Sequence, residues 1–184
     1  MTFLIIHGIG GEAGIHWQKW LHDNLAKAGH TVIMPSLSEP NRPDRATWLA
    51  EITALAKDVP SEELIIVGHS LGVTAALDYI SSLSTKLHGL ISVSGISEDY
   101  GVELNGYYLM ERTIDFAKVK SHVDNIKVFY GDNDPYVPQE TLQKVADGLE
   151  IKSRIIKNGG HLNTEAGFNT FPELLNTCIA FAKS

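Results

Sequence analysis

Six short apolar runs punctuate the chain: Phe3–Ile6, Thr31–Met34, Leu64–Val67, His88–Val93, Ile126–Tyr130 and Ile151–Ile156. Between them lie stretches with helical spacing: 15–28, 45–57, 71–82, 107–118 and 139–148, with a last one opening at Pro172. Near-continuous apolar runs are what strands buried on both faces require. Strict alternation with helices predicts an α/β fold, a parallel sheet of about six strands with helices on both faces. Local signals set the helix ends. Trp17, Trp20, Leu21, Leu25 and Ala28 share one face, and Gly29 follows as a stop. Asp44 is placed to cap the second helix, and Pro172 suits a first helical turn. Pro40 and Pro43 keep residues 36–43 in a loop. Right-handed crossovers put every strand C-terminus on one edge, where such sheets bind ligands.

The residues at that edge carry chemistry. Leu64–Val67 runs into Gly68-His69-Ser70-Leu71-Gly72, and a helix pattern follows at once. This is the form of a nucleophile elbow: a serine on a sharp strand-to-helix turn, flanked by residues without a side chain to clash. A hydroxyl at neutral pH needs a base, and an imidazole base needs a carboxylate to fix its tautomer. Asp134 follows the fifth run and His161 the sixth, so Ser70, Asp134 and His161 give the chain order Ser…Asp…His of α/β-hydrolases. Asp132 competes with Asp134 for the carboxylate role. His7-Gly8-Ile9-Gly10-Gly11 follows the first run and suits an oxyanion loop. The expected backbone donors are Leu71, just after the nucleophile, and Ile9, with Gly10 as the alternative. His69 reads as a packing or hydrogen-bonding residue. His7 shapes the loop and is a candidate substrate contact.

The full set of motifs resembles a known family. The marks are the first strand into His7-Gly8, the pair His16-Trp17, Trp48, Gly68-His69-Ser70-Leu71-Gly72, Asp132-Asn133-Asp134-Pro135-Tyr136-Val137-Pro138, and Gly159-Gly160-His161-Leu162-Asn163. Together they are similar to the small serine hydrolases typified by retinoblastoma-binding protein 9 and bacterial YdeN, over nearly the whole length. The resemblance implies a compact three-layer α/β-hydrolase fold lacking the first two strands of larger members. It also implies Ser70 as nucleophile, His161 as base, Asp134 as orienter, and activity on carboxylic esters.

Other readings are weaker. Gly8-Ile9-Gly10-Gly11-Glu12-Ala13 matches a dinucleotide fingerprint, but the acidic residue expected at the end of the second strand is replaced by Met34-Pro35. No His, Cys or carboxylate spacing suggests a metal, and no cofactor is expected. A net charge of −7 without a basic block argues against nucleic acid or an anionic membrane as partner. No apolar run approaches membrane-spanning length. The lone Cys178 excludes an internal disulfide and suits a reducing, cytoplasmic location. A single domain over 1–184 is expected, with 95–123 as a minimal cap. In that cap Tyr107, Tyr108 and Met110 are candidate substrate contacts. The expected substrate is a small-molecule ester. Amide or peptide hydrolysis at the same site, or a protein-binding module that keeps the fold, are the alternatives.

Overall fold

The computed structural model describes residues 1–184. Its six strands are β1 (Thr2–Ile6), β2 (Thr31–Ile33), β3 (Leu64–His69), β4 (Leu87–Val93), β5 (Val123–Gly131) and β6 (Arg154–Ile156). All pair in parallel, in the order β2-β1-β3-β4-β5-β6. The helices are α1 (Gln18–Lys27), α2 (Arg45–Ala56), α3 (Leu71–Ser82), α4 (Glu103–Met110), α5 (Phe116–Ser121), α6 (Gln139–Gly148) and α7 (Pro172–Phe181). None is long and apolar enough to cross a membrane.

The pleat sorts successive strand residues to opposite faces. Leu4, Ile6, Leu64 and Ile66 pack with Trp48 of α2, Leu77 of α3 and Leu142 of α6. Phe3, Ile5, Ile65 and Val67 pack on the other side with Leu21 and Leu25 of α1 and Leu174 and Cys178 of α7. The result is the three-layer α/β-hydrolase arrangement, with its strand C-termini on one edge.

Several boundaries differ from the sequence expectation, β5 among them, which starts at Val123 rather than Ile126, and three of the differences have a visible cause. The helix expected over 107–118 is two helices, α4 and α5. The buried Arg45 guanidinium donates to the carbonyls of Tyr108 at 2.9 Å and Arg112 at 2.8 Å, which ends α4. Asp115 then caps α5 by accepting from the Lys118 N–H at 3.0 Å. The first helix starts at Gln18, because His16 has a left-handed φ of 58° and the preceding residues form turns. The sixth strand starts at Arg154, because the Ile151 N–H is used to close α6, donating to Ala146 O at 3.0 Å. The Asp44 cap is as expected, its carboxylate accepting from the Thr47 N–H at 2.7 Å.

Candidate active site

Ser70 is the single residue between β3 and α3, with φ 53° and ψ −123°. A left-handed φ at a serine is strained, and it persists only where the surroundings over-determine it. Here the Ser70 N–H donates to Val93 O at 3.0 Å, and Ser70 O accepts from Val73 N–H at 3.0 Å. Close approach explains the flanking glycines. A Cβ on Gly72 would lie 2.4 Å from His7 O, and one on Gly68 would lie 2.9 Å from Val73 Cα. A helix beginning this tightly against β1 leaves no room for a methyl group.

His161 stands across the cleft from Ser70, 8% exposed. Its Nδ1–H donates to Asp134 Oδ2 at 2.6 Å. The other Asp134 oxygen, Oδ1, accepts from the Tyr136 N–H at 2.9 Å and the Val137 N–H at 3.1 Å. The carboxylate is therefore fixed in place, its side chain fully buried. The competing Asp132 ties its loop to the loop after β6, accepting from the Asn158 N–H at 2.7 Å. With its proton on Nδ1, His161 presents an unprotonated Nε2 as an acceptor. Ser70 Oγ and His161 share the cleft without a hydrogen bond joining them, a common state of such pairs before substrate arrives.

The backbone donors divide cleanly. Gly10 N–H is taken by Pro40 O at 2.7 Å and Gly11 N–H by Gly8 O at 3.2 Å. Ile9 lines the cleft, and its N–H has no partner in the protein. Leu71 is the first residue of α3, where an N–H has no intrahelical acceptor. Two unclaimed donors thus flank Ser70. The glycine-rich loop opens no helix at Ala13, as a dinucleotide loop would, since α1 starts only at Gln18.

Three further histidines surround the site. His7 is fully buried. Its Nδ1–H donates to Gly8 O at 2.8 Å, and its Nε2 accepts from the Leu37 N–H at 2.9 Å. Protonation would set two N–H groups against each other at Nε2. Burial pushes the His7 pKa below the usual imidazole value. Burial, then the neighbouring His161, push His69 well below it. His16 lies in the cleft wall, and its Nδ1 accepts from the Thr164 N–H at 3.2 Å. Burial, followed by His161, lowers its pKa also.

These shifts imply a pH dependence of stability. Above the ordinary imidazole pKa of 6.5, His7 and His69 are neutral in both folded and unfolded chains. Below it the unfolded chain takes up protons that the folded chain refuses, so stability falls with pH. The urea midpoint is expected to drop between about pH 7.5 and about pH 5.5, where most carboxylates are still ionised. An unchanged midpoint would contradict the buried neutral histidines.

The cleft holds about 570 Å³. Tyr100, Val102, Leu104 and Asn105 also bound it. Val102, Leu104 and Tyr136 line it while remaining 36%, 59% and 50% exposed, so its mouth is apolar. The expected places of Tyr107, Tyr108, Met110 and His7 on its wall are corrected by the structure. Tyr108 is 1% exposed, packed edge-on to Trp48 with ring centroids 5.9 Å apart. Tyr107 stacks under Arg42 outside the cleft, and Met110 is exposed and borders other surface hollows. His7 sits behind the loop it braces. The displacement traces to α4 starting at Glu103, four residues before the expected helix, so its first turn meets the cleft. Tyr136 and His16 carried a signal in the quoted motifs. Leu104 and Asn105 carried none.

Comparison with known proteins identifies the family and the fold. A family model described as serine hydrolase matches residues 3–178. The serine hydrolase RBBP9 of Rattus norvegicus is 31% identical over 163 residues, covering 85% of this chain and 84% of the relative. YdeN of Bacillus subtilis is 25% identical over 179 residues, covering 96% and 94%. The crystal structure of the B. subtilis ydeN product superposes with a TM-score of 0.91 at 23% identity, covering 100% and 99% of the two chains. Est1E from Butyrivibrio proteoclasticus shares the fold at a TM-score of 0.77 and 16% identity, covering 100% and 88%. The chain belongs to the serine hydrolase family, in a compact α/β-hydrolase fold resembling RBBP9 and YdeN.

Proposed function

We propose that the protein hydrolyses small carboxylic esters through an acyl-enzyme on Ser70. One observation carries the reading. The strained serine, the His161–Asp134 pair joined at 2.6 Å, and two unclaimed backbone N–H groups open onto one cleft. In this reading His161 Nε2 takes the Ser70 proton as Oγ attacks the ester carbonyl. The Leu71 and Ile9 N–H groups hold the oxyanion, each such donor worth about 3 kcal/mol of transition-state stabilisation. The tetrahedral intermediate collapses, the C–O bond to the leaving group breaks, and His161 returns the proton to the alkoxide. Water then attacks the acyl-enzyme with His161 again as base, releasing the acid and free Ser70. Asp134 stays ionised and holds the imidazole tautomer. The apolar mouth at Val102, Leu104 and Tyr136 favours an apolar group on the substrate. A cytoplasmic location is part of the same proposal; the lone Cys178, a free and buried thiol, agrees with a reducing compartment.

A fluorophosphonate probe tests the mechanism directly. The folded wild type should be labelled covalently, with the adduct on the Ser70 peptide, and Ser70→Ala should take no label. A folded wild type that takes no label would favour a binding role for this fold. A label surviving in Ser70→Ala would remove Ser70 from the mechanism.

A further inference from the structure

Two consecutive carbonyls at the base, those of His161 and Leu162, are held by side chains from elsewhere in the fold. His69 Nε2–H donates to His161 O at 3.0 Å, and Trp17 Nε1–H donates to Leu162 O at 2.9 Å. A carbonyl only accepts, so His69 carries its proton on Nε2. The His69 ring also lies edge-on to the His161 ring, with centroids 5.0 Å apart at 60°. Behind it stand the rings of His16 at 5.4 Å and Trp17 at 5.9 Å. His69 is 3% exposed and Trp17 fully buried, so neither bond competes with water.

The segment they grip would not hold itself in place. Asn158, Gly160 and Leu162 all have left-handed φ, at 54°, 52° and 49°. For asparagine and leucine that conformation is strained and needs outside support. Asn133 supplies part of it, its Oδ1 accepting from the Gly160 N–H at 2.8 Å. His161 Nδ1–H to Asp134 and the Thr164 N–H to His16 Nδ1 add to it, and His69 and Trp17 hold the two carbonyls between them.

We propose that His69, backed by Trp17, is a positioning residue for the His161 base. The role rests on the reading of Ser70 as nucleophile and His161 as base. Its logic lies in the sequence: His69 ends β3 and Ser70 follows it. The residue beside the nucleophile grips the backbone and braces the ring of the base. Nucleophile and base are thereby referenced to the same strand end, and a displacement of one carries the other with it. A loss of such registration by about 1 Å can cost about 10²-fold in rate.

The test compares three variants with wild type on a p-nitrophenyl acyl ester, alongside the rate of fluorophosphonate labelling. His69→Phe keeps a ring and loses the donor. His69→Gln keeps an N–H donor at a similar reach. Trp17→Phe keeps the ring wall and loses the donor to Leu162. Expected are a fall in kcat of about 30–100-fold for His69→Phe with KM within about twofold, and recovery to within about fivefold of wild type in His69→Gln. Trp17→Phe should lower kcat by about fivefold at constant KM, which keeps the proposal testable if His69→Phe does not fold. Labelling rates should follow kcat. Folded His69→Phe with wild-type kcat, His69→Gln falling as far as His69→Phe, or Trp17→Phe at wild-type kcat would each overturn the positioning role alone. A wild type that the probe never labels would overturn the serine mechanism and this role with it.

Discussion

Asp134→Asn is expected to lower kcat by about 10⁴-fold while leaving the fold intact. The reason is specific to the way the carboxylate is held. Asp134 Oδ1 accepts two backbone N–H groups, from Tyr136 and Val137. In the asparagine variant only the amide oxygen can fill that place, so the NH₂ group must turn toward His161. An NH₂ donor there requires an unprotonated Nδ1, which moves the imidazole proton to Nε2. His161 then meets Ser70 with a donor where an acceptor is needed. Steady-state kinetics on an activated ester, with circular dichroism to confirm folding, measures the effect. Asp132→Asn is the control. Its oxygen accepts one N–H from the loop after β6, a bond asparagine keeps, and kcat should change by no more than about threefold. Equal losses in the two variants would mean that Asp134 acts only as a turn former.

Arg45→Met should destabilise the protein by about 3–5 kcal/mol, read as a lower urea midpoint. Arg45 is 1% exposed and makes a two-pronged pair with Asp78, Nε to Oδ2 at 2.7 Å and Nη2 to Oδ1 at 2.9 Å. Its remaining nitrogen holds the carbonyls of Tyr108 and Arg112. Removing it leaves a buried carboxylate and bare carbonyls at the end of α4. Arg112 still reaches Asp78 Oδ2 at 3.1 Å, but it is 43% exposed and only partly compensates, which sets the expectation nearer the lower figure. Adding Asp78→Leu to Arg45→Met removes the uncompensated charge and should return much of the loss. Because α4 carries Leu104 and Asn105 of the cleft wall, KM should rise in the single variant. An unchanged midpoint would show that the pair and its carbonyl contacts contribute nothing net.

The fold was legible wherever local pattern and tertiary demand agreed. The apolar runs became strands because burial on both faces needs what the runs already were. The third helix and the sixth match their expected ranges, 71–82 and 139–148, because a glycine-flanked elbow and Pro138 set their starts locally. Residues 107–118 failed the same reading. Their apolar spacing is helical throughout, but Arg45, more than sixty residues earlier, takes the carbonyls that would have continued the helix. No local window contains that information. The substrate wall failed with it, since the break and the earlier start of α4 decide which of its residues meet the cleft.

Local sequence pattern was enough to put Ser70 on a turn between strand and helix, and Asp134 and His161 in the loops that follow later strands. Those are properties of short-range pattern and of the one-edge rule for parallel sheets. The tertiary structure decided the rest. It put Asp134 rather than Asp132 against His161, because only one of the two carboxylates faces the histidine. It separated Ile9 from Gly10, because Pro40 claims the Gly10 N–H. It gave His69 a partner ninety-two residues away. The first two are choices between chemically equivalent neighbours, and all three rest on hydrogen bonds between distant residues that a linear sequence does not display.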